Sequence, residues 1–595
     1  MQLRRFKLRM RRNFRASRRQ VEDLGGQVEQ QIDQNLLRRF NHLAPVRRFI
    51  IGWLGLLVIL IIGLIIQNLN LSSYFQNLRA VPGGIYTEGV KGRFTNANPL
   101  YAVSDADTTV SHLVFSGLLT YDNQGKLTGD LASDYQTDDT GRTYTVHLRP
   151  NLTWQDGRPL TSDDVLFTYQ MIQNPDAQSP LYGGWQGINI SAPDKRTIIF
   201  RLPGELAAFP QSLTNGIVPK HLLGKTAPSD LRSSDFNTVH PVGAGPFAWQ
   251  AIQVTGDGDP TNSQEQIGMT PFAHYQGGKP KLQKFIVKVF ASEKQLTDAF
   301  AGKQLTAVEG LDEVPKNLQH QKSVIQHNLP LRAATMVFFK TSTGVLSDGS
   351  VRQALVQAAN VPEIIKQLGY PTRQVNEPLL TGQLGYDRSL AQAGFDLNAA
   401  KAALTADGWT IGQNGVMTKN NQPLSFSLTA ADTPEFHMVA GKLQEQWKSL
   451  GVKIDVQYLQ PSDFQNALNN HEYDAVLDSI AIGADPDVFV YWDSSQADIR
   501  SANRLNLSEY KNPTADAALE SGRTRVDPSL RVIKYKPFLE AWQKDNPALG
   551  LYQPRLLYLS NGPVGGLEIH PLNTPTDRFA NVQNWQIRQA KVTNQ

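Results

Sequence analysis

At 595 residues the chain is longer than one hydrophobic core supports, so two or three domains are expected. It has no cysteine, which excludes disulfides, thiolate metal sites and a lipid-modified cysteine anchor. The net charge of +4 is unevenly spread: residues 1–48 hold thirteen Lys/Arg and four Asp/Glu, a net of +9, and the remainder is −5, so the basic balance does not point to nucleic acid.

Residues 1–48 form a basic arm, read as cytoplasmic, that either contacts anionic lipid or a partner or simply fixes orientation. Residues 49–66 (FIIGWLGLLVILIIGLII) carry no charge and, as a helix, would extend about 27 Å, near the hydrocarbon thickness. Arg47 and Arg48 abut this segment and Trp53 lies near the same end, so the positive-inside rule keeps the arm in the cytoplasm and exports the rest. A cleaved signal peptide is the competing reading. The basic region is too long for one, and no A-x-A-like site follows, so an uncleaved signal anchor is expected, with residues 67–81 as a stalk.

Pro82, Gly83 and Gly84 open the exported part, and Asn98-Pro99 marks a turn soon after. Between residues 110 and 171, an apolar segment around Leu113 and Leu118 ends at the turn signal of residues 122–125 (DNQG). Residues 143–148 (TYTVHL) alternate as a half-buried strand does. Asp156-Gly157 is a hairpin-type turn, and Thr161 with Asp164 is a capping pattern ahead of Val165, Leu166 and Phe167.

The order and spelling of these parts carry more than their periodicity. Leu131-Ala132, residues 144–146 (YTV), Leu148-Arg149, residues 154–157 (WQDG) and residues 163–165 (DDV) resemble the signature of extracellular solute-binding proteins of family 5, the peptide and oligopeptide receptors of ABC importers. The resemblance runs from near Pro82 almost to the C-terminus. It implies an α/β fold of the periplasmic-binding-protein type II, large, three-domain and two-lobed, preceded here by the N-terminal transmembrane helix. Lobe I would comprise residues 82–118, 195–290 and 548–587, the accessory domain 119–194, and lobe II 291–547. It also implies a peptide ligand, an ABC permease and separate ATPase subunits as partners, with no cofactor and no catalytic residue.

By the same resemblance, the chain just after the Asn98-Pro99 turn lies along the ligand backbone, which places Val103, Ser104 and Asp105 in the pocket. Asp105 and Asp107 could instead cap a helix. Ser179-Pro180 is similar to a family position followed by a ligand-touching aromatic; here Leu181 follows, and Tyr182 and Trp185 are the candidates, with a core role as the alternative. Residues 241–247 (PVGAGPF) resemble a family turn, and Gly243 and Gly245 read as backbone geometry that only glycine adopts cheaply. The polar residues 255–267 read as an exposed loop. Residues 351–355 (VRQAL) open a helix in which Arg352 is structural. Residues 396–409 form an Asp-capped helix ended by Gly408, and residues 473–477 (YDAVL) a buried strand.

One departure matters for the ligand. In amine-recognising relatives an aspartate shortly after the strand of Tyr473 pairs with the ligand's α-amino group, because a desolvated ammonium needs a carboxylate partner. Here Ile482 or Gly483 falls at that position; Asp478 or Asp485 would have to serve from another angle, and Asp485 and Asp487, both candidates to touch ligand, also read as cap and turn residues. The chain has no Walker A, HExxH or GxSxG pattern. A hydrolase built on Asp163-Asp164 or Asp485 and Asp487 is disfavoured because the first pair marks a helix start. A receptor fold kept as an adhesin, sensor or chaperone, or one for a non-peptide solute, is the alternative.

Overall fold

The computed structural model describes residues 47–255, 263–412, 414–498, 500–501 and 504–593. The basic arm, up to residue 46, lies outside them. The chain divides into two compact units, residues 1–79 with 589–595, and residues 80–588.

In the first unit a helix runs over Arg47–Phe75, followed by the strand Gln76–Val81, which pairs with Arg588–Thr593. The segment expected as a stalk is therefore regular: the helix continues eight residues beyond Gln67 and a strand follows. Residues 51–67 are all exposed, and most are large and apolar. Among the described residues no helix is long and apolar enough to cross a membrane. The side chains of residues 47, 48, 50 and 68–75 lie outside the described ones, so the apolar run is described only in part.

The second unit is a mixed α/β body built on three main sheets. A seven-stranded sheet takes its strands in the order Val324–Pro330, Arg555–Asn561, Ala307–Glu309, Ile85–Lys91, Lys284–Phe290, Gln264–Pro271, Phe247–Thr255. A five-stranded sheet runs Lys453–Leu459, Ser425–Ala431, Ala475–Ala481, Ala333–Phe339, Ala548–Tyr552. A four-stranded antiparallel sheet joins Ala132–Thr137, Thr143–Leu148, Thr197–Arg201 and Asn189–Asp194. These pairings cross the expected boundaries. Residues 307–309 and 324–330, expected in lobe II, hydrogen-bond in the seven-stranded sheet, and residues 548–552 in the five-stranded one. Thr197–Arg201 likewise joins the sheet of the expected accessory region.

Local chemistry explains the elements. Ala333–Phe339 (AATMVFF) is buried at every position because it is a central strand covered on both faces. Val337 and Phe339 meet the core under the helix Pro434–Leu450; Ala334, Met336 and Phe338 meet the core under Pro513–Arg523 and Pro528–Asp545. Thr143–Leu148 alternates half-buried and buried as its sequence predicts. Thr161 and Asp164 form the capping box of the helix Ser162–Ile172. Asp163 is on the exposed side in an ion pair with Lys195, so the two neighbouring carboxylates share no site. Asp396 caps Leu397–Ala406, and Gly408 follows at φ 91°. Arg352 donates to the carbonyls of Asp545 (2.7 Å) and Leu346 (2.8 Å), a structural role as expected. The loop expected over residues 255–267 is shorter than read, since Phe247–Thr255 and Gln264–Pro271 are paired antiparallel.

A buried ion pair holds the returning C-terminal segment to the strand Ile85–Lys91. Glu88 and Arg578 are both fully buried; Tyr558 donates to Glu88 at 2.6 Å, and Arg578 also donates to Thr109 at 3.1 Å. Glu309 lies nearby, and burial pushes its carboxyl up to about 7 despite Arg578.

Gly243 and Gly245 are glycines for a reason other than dihedral freedom. Neither has a positive φ; a Cβ on Gly243 would stand 1.9 Å from the carbonyl oxygen of Val114. The turn is pressed onto the end of the helix Asp105–Val114, and Gln155 bridges the two, donating to Val114 and accepting from Gly243. Gly243→Ala should therefore destabilise the protein by about 1–3 kcal/mol, seen as a lowered midpoint in thermal or urea unfolding; an unchanged midpoint would refute the close-approach account.

Candidate functional site

The chain passes between the seven-stranded and five-stranded sheets twice. The outward passage joins Val324–Pro330 to Ala333–Phe339; the return joins Ala548–Tyr552 to Arg555–Asn561. The passages are hydrogen-bonded to each other and to their surroundings. Leu331 N donates to Pro554 O (2.9 Å), Arg332 N to Leu572 O (2.7 Å), and Leu572 N to Pro330 O (2.8 Å). The Arg332 carbonyl accepts from Ile482 N (2.9 Å) and Gly483 N (2.8 Å), and its guanidinium donates to the Gly125 and Gln124 carbonyls (2.9 and 3.3 Å). Arg332 thus touches residues belonging to both sides.

A cavity of about 630 Å³ opens at this crossing. Arg332, Arg373 and Arg555 line it with neutral polar groups such as Gln326, Asn328 and Gln553, and no Asp or Glu takes part. Arg555 stacks on the Tyr370 ring at 3.9 Å and donates to Asn328 Oδ1. Burial lowers the pKa of both Arg332 and Arg555. The nearby Glu435 is engaged elsewhere, accepting from the hydroxyls of Tyr370 (3.0 Å) and Tyr552 (2.8 Å).

The residues expected in the pocket have distinct fates. Val103 is exposed (69%) and Asp105 is exposed in the first turn of the helix Asp105–Val114. Ser104 is that helix's cap, its Oγ accepting from Asp107 N at 3.1 Å. Asp107 is buried and not the cap: it accepts from Thr95 N, Thr95 Oγ1 and Asn96 N (2.7, 2.7 and 2.9 Å), fixing the preceding loop. Tyr182 is half-buried at the start of a single helical turn. Trp185 is core: it is buried, stacked on Tyr169 at 4.1 Å and packed against Phe200 and Phe209, so the ligand-packing expectation is corrected there.

Asp485 and Asp487 are already paired. Arg531 donates to both Asp485 oxygens (2.7 and 2.8 Å), and Arg523 donates to Asp487 (3.2 Å) while stacking on Phe489 at 4.2 Å. Burial raises the pKa of Asp487 even so, the largest cause outweighing Arg523. Next to these pairs the two sides touch: Ala207 N donates to Arg523 O (2.9 Å), and Arg525 lies 3.8 Å from Glu205. An amine-recognising role for Asp485 or Asp487 would require breaking a partly buried ion pair.

Asp478 is different. It is half-buried on the strand Ala475–Ala481, beside Met336, and burial pushes its carboxyl up to about 7, offset only by the backbone N–H of Ser479. The arginine cavity was not visible to sequence reading, because its three guanidiniums come from positions 332, 373 and 555 with no shared motif. Among the described residues no group of three or more His, Asp or Glu is placed to hold a metal ion.

A family-wide sequence model, Bacterial extracellular solute-binding proteins, family 5 Middle, matches residues 126–501. The oligopeptide-binding protein AppA of Bacillus subtilis is 24% identical over 520 residues, 84% of this chain and 91% of AppA. The solved structure of that AppA with a nonapeptide superposes with a TM-score of 0.67 at 22% identity, over 86% of this chain and 100% of that one. NikZ of Campylobacter jejuni, in complex with Ni(L-His), gives 0.71 at 23% identity, over 84% and 99%. At these identities the structural likeness establishes the fold.

The Asp478 environment gives a signed pH effect. A carboxyl at about 7 when folded and about 4 when unfolded holds its proton more tightly in the folded state, so its contribution falls as pH rises from about 4 through 7. Asp478→Asn should match the wild type in stability near pH 3.5 and exceed it at pH 8.5, by thermal unfolding; parallel pH curves for the two proteins would contradict this burial account.

Proposed function

The chain belongs to the bacterial extracellular solute-binding proteins of family 5, and we propose that it is a membrane-tethered receptor that closes two lobes on a peptide and delivers it to an ABC permease. The observation that carries the reading is the pair of crossings with a polar cavity beside them. Two covalent links between two sheets, each with its own core, are what hinge closure needs, and closure needs no catalytic residue. The ATPase that powers transport is then a separate chain. The tether is the helix containing residues 49–66, with the basic arm in the cytoplasm and the rest outside the membrane; the exposed apolar residues 51–67 and Arg47-Arg48 beside them support it.

A second reading, a receptor for a non-peptide solute, is favoured by one observation. The position that would pair an α-amino group is Ile482 or Gly483, whose N–H groups bind Arg332 O, and Asp485 is saturated by Arg531. Recognition at positions 482–487 is therefore weighted toward groups other than an ammonium.

The test is native mass spectrometry of the full chain, extracted from its membrane in mild detergent. Release of a heterogeneous set of short peptides on denaturation is the expected result. A single non-peptide mass would select the second reading, and a chain that retains nothing and ignores peptide libraries would refute the receptor proposal.

A further inference from the structure

We propose that the cavity at the crossing is a site for an oxyanion, a carboxylate or phosphate group held by Arg332, Arg373 and Arg555. The inference deepens the receptor reading and rests on it where the anion is the solute's own.

The three guanidiniums come from three different places: Arg332 from the outward crossing, Arg555 from the first position of the returning strand, and Arg373 from the segment that pairs beside Ala548–Tyr552. All three line one cavity, so an anion bound there would be within reach of more than one guanidinium. The lining itself holds no carboxylate. Arg332 and Arg555 donate only to neutral oxygens, those of Gly125, Gln124 and Asn328. Asp122 and Asp577 act on Arg332, and Glu435 on Arg555, without an ion pair to either; Asp577 is itself committed to Asn573 and Thr574. Arg373 is exposed. Its backbone carbonyl is bound by Gln553 N, which fixes the start of the side chain at the cavity rim.

A guanidinium offers a planar fork of donors that matches the paired oxygens of a carboxylate or phosphate. A partly buried guanidinium without a carboxylate partner keeps most of its desolvation cost, and a bound anion relieves it. The occupant would also touch both crossings and the 371–384 segment beside the five-stranded sheet, so any difference in its affinity between hinge states shifts their populations. Two sources supply the same chemistry: the carboxylate of the solute, or a free anion acting on the hinge.

The test uses the full chain in detergent, in a buffer free of phosphate and carboxylate, with calorimetric titration of inorganic phosphate. Saturable binding is expected, weakened at least tenfold in Arg373→Gln and in Arg555→Lys, which keeps the charge but loses the fork. It should be unchanged in Lys366→Gln, an exposed lysine of the helix Val361–Gln367. Trialanine and its C-terminal amide separate the sources. If trialanine binds, its amide does not and phosphate competes, the site takes the solute's carboxylate; if phosphate binds without competing with trialanine, or trialanine does not bind at all, the site takes a free anion. Unsaturable phosphate heats, or equal binding by wild type and Arg373→Gln, would overturn the inference. Solute retention in native mass spectrometry is independent of these titrations, so failure here is distinguishable from failure of the receptor reading.

Discussion

Only two strands of chain tie the seven-stranded sheet to the five-stranded one, and the rest of the structure is arranged around that constraint. At the crossing, residues 330–333 and 552–555 run side by side, joined by the bond from Leu331 N to Pro554 O. Proline on each passage, Pro330 and Pro554, removes a donor where a continuous sheet would need one. The two sheets on either side keep separate apolar cores. Arg332 sits at the centre of this device. Its carbonyl, amide and guanidinium bind three different segments, so a change in hinge angle must break or remake those bonds.

Charge is distributed unevenly around the crossing, and the imbalance decides which solutes suit it. Of the candidate ligand carboxylates, Asp485 and Asp487 are paired with Arg531 and Arg523, while Asp478 has only the backbone N–H of Ser479. The arginines at the cavity have no such partners. Breaking such a pair leaves an uncompensated charge, whereas an anion at the arginines offsets its own desolvation with new charge-assisted hydrogen bonds.

Much of the fold was legible because it depends on local rules. The alternation of residues 143–148, the Thr161–Asp164 capping box, the Asp396 cap and the Gly408 stop all follow from neighbours within a few positions. What was not legible depends on distant pairings. The exchange of strands at the crossing puts residues 307–309 and 324–330 in one sheet and 548–552 in the other, against boundaries drawn at 291 and 548. Trp185 looked like a loop aromatic facing ligand, and Tyr169, Phe200 and Phe209 claim it for a core. Gly243 looked like a dihedral requirement, and the requirement is the proximity of Val114. Arginines at 332, 373 and 555 carry no local signal at all; only the fold brings them together.

Closure of the proposed receptor about the two crossings would register at the contact between Arg523–Arg525 and Glu205–Ala207. The chain lacks cysteine, so Thr140→Cys and Val526→Cys give two clean labelling sites flanking that contact. Distances between the labels, measured by single-molecule energy transfer with and without the peptides released by the native protein, test the claim most directly. Hinge closure predicts a longer, broader distribution without peptide and one short distance with it. A single short distance in both conditions would contradict the account.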